Sequence, residues 1–249
     1  MALAQNPIVV IPARMASKRL PGKPLAEING EPMIVHVWRR AQEADLGPVL
    51  VATSEPEIAE VVKAAGGDAL LTRSGHPSGS DRVFEAVEAI DPDGRHDAVV
   101  NMQGDMPAIE AEITGAVLGP FIKAEVDIAT LATEISGEAE KTDPNVVKAV
   151  ISLRPGETIG RALYFSRATV PGGEGPLYHH IGIYAFRRHA LARFAGLPRG
   201  HLERRERLEQ LRAIENGMRI DAALVDTVPF AVDTPADLAR GQQLLARGS

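Results

Sequence analysis

Short runs of consecutive apolar residues, separated by amphipathic stretches of helical period, recur along the first half of the chain. The first is Ile8-Val9-Val10-Ile11. An unbroken, mostly β-branched run predicts a strand buried on both faces, as in a parallel sheet. Residues 31–44 follow as a helix with Met33, Ile34, Val37, Trp38 and Ala41 on one side, and Val49-Leu50-Val51-Ala52-Thr53 as a second buried strand. Ser54 with Glu57 three residues on reads as a capping box for a helix with Ile58, Val61, Val62 and Ala65 on its apolar face, stopped by Gly66-Gly67. A strand over 69–72, a helix from about Ser80 and a strand over 97–102 continue a βαβαβ rhythm. That rhythm predicts an α/β fold with a doubly wound, mostly parallel, Rossmann-like sheet.

Further strands are expected at 127–134, 146–153, 181–186 and 220–225, with a charged helix over 202–216 ended by Gly217. A last helix opens with Thr234 as N-cap, Pro235 at the first helical position and Asp237 reaching back. Between 159 and 184 the helical period fades, and Pro171-Gly172-Gly173-Glu174-Gly175-Pro176 interrupts the pattern. The expectation is one domain over 1–249, with a smaller lid or dimer-arm extension at about 155–200.

Composition narrows the chemistry. The absence of cysteine excludes a disulfide framework, a thiolate nucleophile and a zinc–cysteine site, and fits a reducing cytoplasm. A net charge of −6 argues against a general nucleic-acid surface. No run approaches the ~20 apolar residues of a membrane span. The first strand begins within eight residues, which predicts no signal peptide and a cytoplasmic protein.

Against this acidic background, the loop after the first strand carries Arg14, Lys18, Arg19 and Lys23, with no acid until Glu27. Pro21, Gly22 and Pro24 stiffen it. Ligands of open α/β sheets bind beyond the carboxyl ends of the strands, so such a loop suits a polyphosphate; a solvated basic turn is the alternative. Neither a Gly-x-Gly-x-x-Gly nor a complete Walker A sequence is present, and Gly-x-Ser-x-Gly is absent. Dinucleotide binding and a hydrolase nucleophile elbow are thereby disfavoured.

Two carboxylates stand at element ends. Asp105 follows a buried strand behind Gly104, which lets the backbone turn close to a ligand; Asp233 opens the last helix. Two acids plus phosphate oxygens and water suit Mg²⁺, whereas turn formation and helix capping explain each acid singly. Ser80 at a helix start either caps the helix or faces an anion. Of His179 and His180, at most one faces a given pocket, because neighbours on a strand point oppositely. Glu209 and Gln210 lie on a helix that also reads as a solvated face with a Glu203–Arg207 pair. Asp91-Pro92-Asp93, next to Gly94, reads as a turn.

In joint order, several motifs resemble the 3-deoxy-manno-octulosonate cytidylyltransferase (CMP-Kdo synthetase) family from Val9 to about Leu238. They include Ile11-Pro12-Ala13-Arg14, Arg19-Leu20-Pro21-Gly22-Lys23-Pro24-Leu25, Gln103-Gly104-Asp105, Tyr164-Phe165-Ser166-Arg167-Ala168, His180-x-Gly182-Ile183-Tyr184, Leu208-Glu209-Gln210-Leu211-Arg212 and Val232-Asp233-Thr234-Pro235. The resemblance implies a nucleotidyltransferase sheet with a sugar-binding and dimerisation extension. It further implies transfer of CMP from CTP to the anomeric hydroxyl of 3-deoxy-D-manno-octulosonate (Kdo), releasing pyrophosphate, for lipopolysaccharide biosynthesis. Arg14 and Lys23 are then implied to clamp the triphosphate, with Gln103 near the cytidine and reacting phosphorus, and Arg73 and Ser80 near the base. Asp105 and Asp233 are implied to hold Mg²⁺, and Arg167, His180, Tyr184, Glu209 and Gln210 to bind the sugar. A homodimer through the 159–184 region follows from the same likeness. Met106 and Gly172 depart from the family's common Glu and Trp, which leaves room for a related acid sugar such as 8-amino-Kdo. A non-catalytic nucleotide-sugar-binding module is the alternative from another class.

Overall fold

The computed structural model describes residues 4–17 and 19–246; Lys18, one of the four loop cations, lies outside the described residues. The chain divides into two compact units, residues 6–115 with 229–249, and residues 116–228 with 1–5. Its content is mixed α/β.

The first unit follows the predicted rhythm. Strand β1 (Pro7–Ala13) leads through the cationic loop to the short hairpin β2 (Glu27–Ile28) and β3 (Glu31–Pro32), then helix α1 (Met33–Glu43). Asn29 and Gly30, both at positive φ, form the hairpin turn, so the helix begins two residues later than its pattern suggests. Strand β4 (Val49–Thr53), helix α2 (Pro56–Ala64), strand β5 (Asp68–Leu71), helix α3 (Gly79–Ile90), strand β6 (Ala98–Asn101) and the short helix α4 (Ala111–Ala116) follow. Within this unit the strand order is β5-β4-β1-β6, all parallel, and β4 and β6 are buried throughout. The apolar runs therefore have the meaning expected of them.

The second unit departs from the expected mostly parallel sheet. It contains β7 (Ile128–Glu134), helix α5 (Glu138–Thr142), β8 (Lys148–Ser152), β9 (Ile159–Ser166), β10 (Tyr178–Arg187), helices α6 (Arg188–Gly196), α7 (His201–Glu206) and α8 (Leu211–Glu215), and β11 (Ile220–Leu224). Only β7 and β11 pair in parallel; β10–β7, β11–β9, β8–β9 and β10–β8 are antiparallel. These pairings close into a ring, β10-β7-β11-β9-β8-β10. The short β8–β9 connection, with Gly156 left-handed, permits only a hairpin, because a parallel return needs a crossover of about a dozen residues. The stretch expected as an extension at about 155–200 thus supplies two strands of this ring, with Phe165, Ile183 and Phe186 buried. Helix α9 (Pro235–Ala246) then belongs to the first unit.

Three local expectations change. Ser54 does not cap α2: Glu55 is at the N-cap, Pro56 fills the first helical position, and Ser54 Oγ donates to the Glu55 carboxylate instead. Ser78, not Ser80, caps α3, its hydroxyl accepting from the Asp81 N–H at 3.2 Å. The charged helix over 202–216 is two helices, broken where Arg207 turns left-handed at φ 57°. Glu203 does not face solvent with Arg207. It is buried, and its carboxylate accepts two bonds from Arg212 at 2.9 Å, with Arg199 adding a third at 3.0 Å. By contrast the Asp91–Asp93 turn is as expected, Asp91 accepting from the amides of Arg95 and His96.

Glu203 and Arg212 are each about 2% exposed, so removing one leaves a buried charge without its main partner. Arg212→Met should cost about 3–5 kcal/mol in urea unfolding. A loss below about 1 kcal/mol would mean that the break at Arg207 does not depend on this pair.

Candidate functional site

The cationic loop is shaped by its own backbone. Gly22 adopts φ 68°, its amide meets the Met15 carbonyl, and Lys23-Pro24-Leu25 forms one 3₁₀ turn. That turn aims the Lys23 ammonium at two carboxylates at once, Asp105 Oδ2 at 2.8 Å and Asp233 Oδ1 at 3.1 Å. The acids are brought together by a backbone bond from the Val232 amide to the Asp105 carbonyl, 2.9 Å. Asp233 is further positioned by the start of α9, where Thr234 and Asp237 form the predicted reciprocal cap. Arg19 also reaches Asp233, at 2.9 Å, from a more exposed position. Burial pulls the Lys23 pKa down, but the charges of Asp105 and then Asp233 outweigh burial and hold it above its ordinary value.

A cavity of about 720 Å³ opens here, walled by Arg14, Arg19, Lys23, Gln103, Asp105 and Asp233 among others. Its size lies within the range of small-ligand sites. The five residues expected to serve phosphate and metal, Arg14, Lys23, Gln103, Asp105 and Asp233, all line it. Gly104 lines the same cavity and also packs closely, since a Cβ there would sit 3.2 Å from the Pro12 carbonyl oxygen. Met106 is buried in the core and lines no wall of this cavity.

A smaller cavity of about 130 Å³ shares Pro12, Ala13, Arg14 and Gln103 and adds His76, Ser78, Gly79 and Arg82. Arg73 and Ser80, expected near the base, line neither cavity. Arg73 is turned outward onto Glu85 at 2.7 Å, and Ser80 is buried, accepting from Asn101 Nδ2 at 3.2 Å. Arg82 lines the smaller cavity although no role in the site was expected of it. It is buried, donating to Thr72 Oγ1 at 2.5 Å and Ser54 Oγ at 3.3 Å. Burial lowers its pKa, partly offset by Glu55.

Asp105 and Asp233 suit a divalent cation by donor type and by convergence: their oxygens already meet on one ammonium. Among the described residues no group of three or more His, Asp or Glu side chains could hold a metal. Two carboxylates with the remaining positions left to phosphate and water is the habit of Mg²⁺, not of zinc.

The residues expected at the sugar lie in the second unit. His180 is 8% exposed while His179 keeps a partly exposed ring, as strand alternation requires. The Thr130 hydroxyl lies 2.8 Å from the Ile183 carbonyl, 3.2 Å from that of Ile181 and 3.0 Å from His180 Nε2. Its single proton goes to a carbonyl, so His180 Nε2 carries the N–H and Nδ1 is the acceptor. Burial, with a smaller contribution from His179, pulls the His180 pKa from 6.5 to about 3. The His180 ring stands edge-on to Phe165 and 5.5 Å from Tyr184. Burial and then Glu209 raise the Tyr184 phenol well above its ordinary value. Gln210 is buried, and among the described residues its Nε2 meets no acceptor. Glu209 lies 4.0 Å from Arg212. Arg167 is held at the exit of β9 by Glu206 and by the Pro144 carbonyl.

The cytidylyltransferase family profile matches residues 8–220. The chain is 65% identical to the 3-deoxy-manno-octulosonate cytidylyltransferase of Paramagnetospirillum magneticum, over 96% of this chain and 98% of that one. It is 63% identical to the enzyme of the same name from Rhodospirillum centenum, covering 98% and 95%. This chain belongs to the cytidylyltransferase family. The solved structure of CMP:2-keto-3-deoxy-manno-octonic acid synthetase, complexed with CTP, superposes with a TM-score of 0.90 at 38% identity, covering 98% of this chain and 100% of that one. The fold is accordingly that of a nucleotidyltransferase, and the resemblance read from the motifs holds along the whole chain. Among the described residues no helix is long and apolar enough to cross a membrane.

Two outcomes follow from the geometry. Lys23→Met removes the ammonium between Asp105 and Asp233, so without nucleotide its Tm should fall by about 2–4 °C. Millimolar Mg²⁺ should then raise the Tm of the variant more than that of the wild type, because no ammonium competes for the acids. Equal shifts in scanning fluorimetry would separate the acids from the metal. For His180 the folded state resists a proton that the unfolded chain accepts near pH 6.5, so the unfolded state binds more protons between pH 6.5 and about 3. Stability is full above that window and falls as the pH is lowered through it. His180→Gln should shrink the loss in urea-unfolding free energy between pH 7.5 and 4.5 by about 2 kcal/mol. An unchanged loss would mean that His180 takes its proton at an ordinary pH.

Proposed function

We propose that the protein transfers CMP from CTP to the anomeric hydroxyl of Kdo, giving CMP-Kdo and pyrophosphate for lipopolysaccharide assembly. The observation that carries this is the convergence of Lys23, Asp105 and Asp233 in a cation-walled cavity, in a chain closely similar to enzymes named for that reaction. The triphosphate occupies the larger cavity and the base the smaller one, with Gln103 and Arg14 at their shared wall.

The sugar hydroxyl attacks the α-phosphorus in line, a new P–O bond forms as the hydroxyl proton passes to solvent, and the bond to the pyrophosphate oxygen breaks. Arg14 and Lys23 neutralise charge that accumulates on the leaving pyrophosphate, and their fixed placement contributes most of the effect. Asp105 and Asp233 hold Mg²⁺, which when bound screens the approach of an anionic sugar to an anionic nucleotide. In loading CTP, Lys23 exchanges its two carboxylates for phosphate oxygens. Arg167, Tyr184, Glu209 and Gln210 orient the acid sugar, and His180, neutral, accepts a hydrogen bond from a sugar hydroxyl through Nδ1 rather than supplying charge. The whole chain acts as one cytidylyltransferase domain in a homodimer formed through the 159–184 region, within the cytoplasm.

Pyrophosphate release from CTP should require both Kdo and Mg²⁺. Asp233→Asn should lower kcat on the order of 100-fold or more with the fold intact by circular dichroism. Release without any acceptor sugar would instead mark a nucleotide hydrolase, and near-normal turnover of Asp233→Asn at limiting Mg²⁺ would remove it from the metal site. An arm with 8-amino-Kdo distinguishes the acceptors, and no release in any arm would favour a non-catalytic binding module.

A further inference from the structure

We propose that Glu206 is the positioning residue of Arg167, setting the guanidinium that reads the acid sugar. This role rests on Arg167 contacting that sugar. Glu206 is the last residue of α7, where a negative side chain opposes the helix dipole, so its place is not explained by helix stability. Its carboxylate instead gathers the end of β9. Oε1 accepts from Ser166 Oγ at 2.9 Å and, more distantly, from Tyr164 at 3.4 Å, and Oε2 accepts from the Arg167 amide at 3.1 Å. The backbone carbonyl of the same residue accepts from Arg167 Nε at 3.1 Å. One residue therefore fixes both the backbone of Arg167 and the near edge of its guanidinium.

The far side is fixed separately. Arg167 Nη1 donates to the Pro144 carbonyl at 2.9 Å. The loop carrying Pro144 is itself tied by the fully buried Lys148, whose ammonium donates to the carbonyls of Asp143 at 2.6 Å and Val146 at 2.8 Å. With Nε and Nη1 engaged, Nη2 has no protein acceptor among the described residues. A planar fork held on two sides and open on the third is preorganised for a carboxylate, and a shift of about 1 Å in such a group can cost up to ~100-fold.

The test compares Glu206→Ala, Glu206→Gln, Arg167→Ala and the double variant in steady-state pyrophosphate release, varying Kdo and CTP separately. Glu206→Ala should raise KM for Kdo about tenfold, with kcat and KM for CTP within about twofold of wild type. Glu206→Gln keeps one acceptor oxygen and should recover part of the loss. On the Arg167→Ala background, removing Glu206 should have no further effect, because the group it positions is gone. A folded Glu206→Ala with unchanged KM for Kdo would overturn the proposal, as would equal rises in both KM values or independent effects in the double variant. If Glu206→Ala does not fold, Glu206→Gln carries the same comparison. An unchanged KM for Kdo in Arg167→Ala removes Arg167 from the sugar site and the proposal with it. A raised KM in Arg167→Ala but not in the Glu206 variants leaves the sugar contact standing and rejects the positioning role alone.

Discussion

One ammonium shared by two carboxylates sets the character of the first unit's cavity. Asp105 leaves the end of β6 and Asp233 enters α9, and two negative charges brought this close repel unless a cation lies between them. Lys23 supplies that cation from a third segment, held in place by the left-handed Gly22 and the 3₁₀ turn after it. The same spot suits a divalent ion.

The second unit solves a different problem, that of carrying polar groups inside a closed ring of strands. Three of them are paired: His180 with Thr130, Arg212 with Glu203, and Lys148 with the carbonyls of the 143–146 loop. Low dielectric makes each pairing stronger and each vacancy costly, so the paired side chains have little freedom to wander. Keeping His180 neutral belongs to the same economy of charge.

Where local motifs misled, a tertiary partner had displaced the local one. Ser54 matches a capping box, yet its hydroxyl goes to Glu55, whose carboxylate also takes the Thr53 hydroxyl and the Met15 amide. Glu203 and Arg207 are correctly spaced for a surface pair, yet Arg212 claims Glu203 in the interior. Arg73 and Ser80 bond Glu85 and Asn101 and line neither cavity, whereas His76, Ser78 and Arg82 line the smaller one.

The apolar runs, the cationic loop, the reciprocal cap at Thr234 and Asp237, and the order of the family motifs were all legible in the residues, because each depends on neighbours a few positions apart. Tertiary structure decided the rest. It set the closure of β7 to β11 into a ring, the break of a continuous helical pattern at Arg207, and the meeting of Asp105 and Asp233 on Lys23. Periodicity records which face of an element is buried, but not what it is buried against. A charge finds its partner by distance in space, and that distance exists only once the chain has folded.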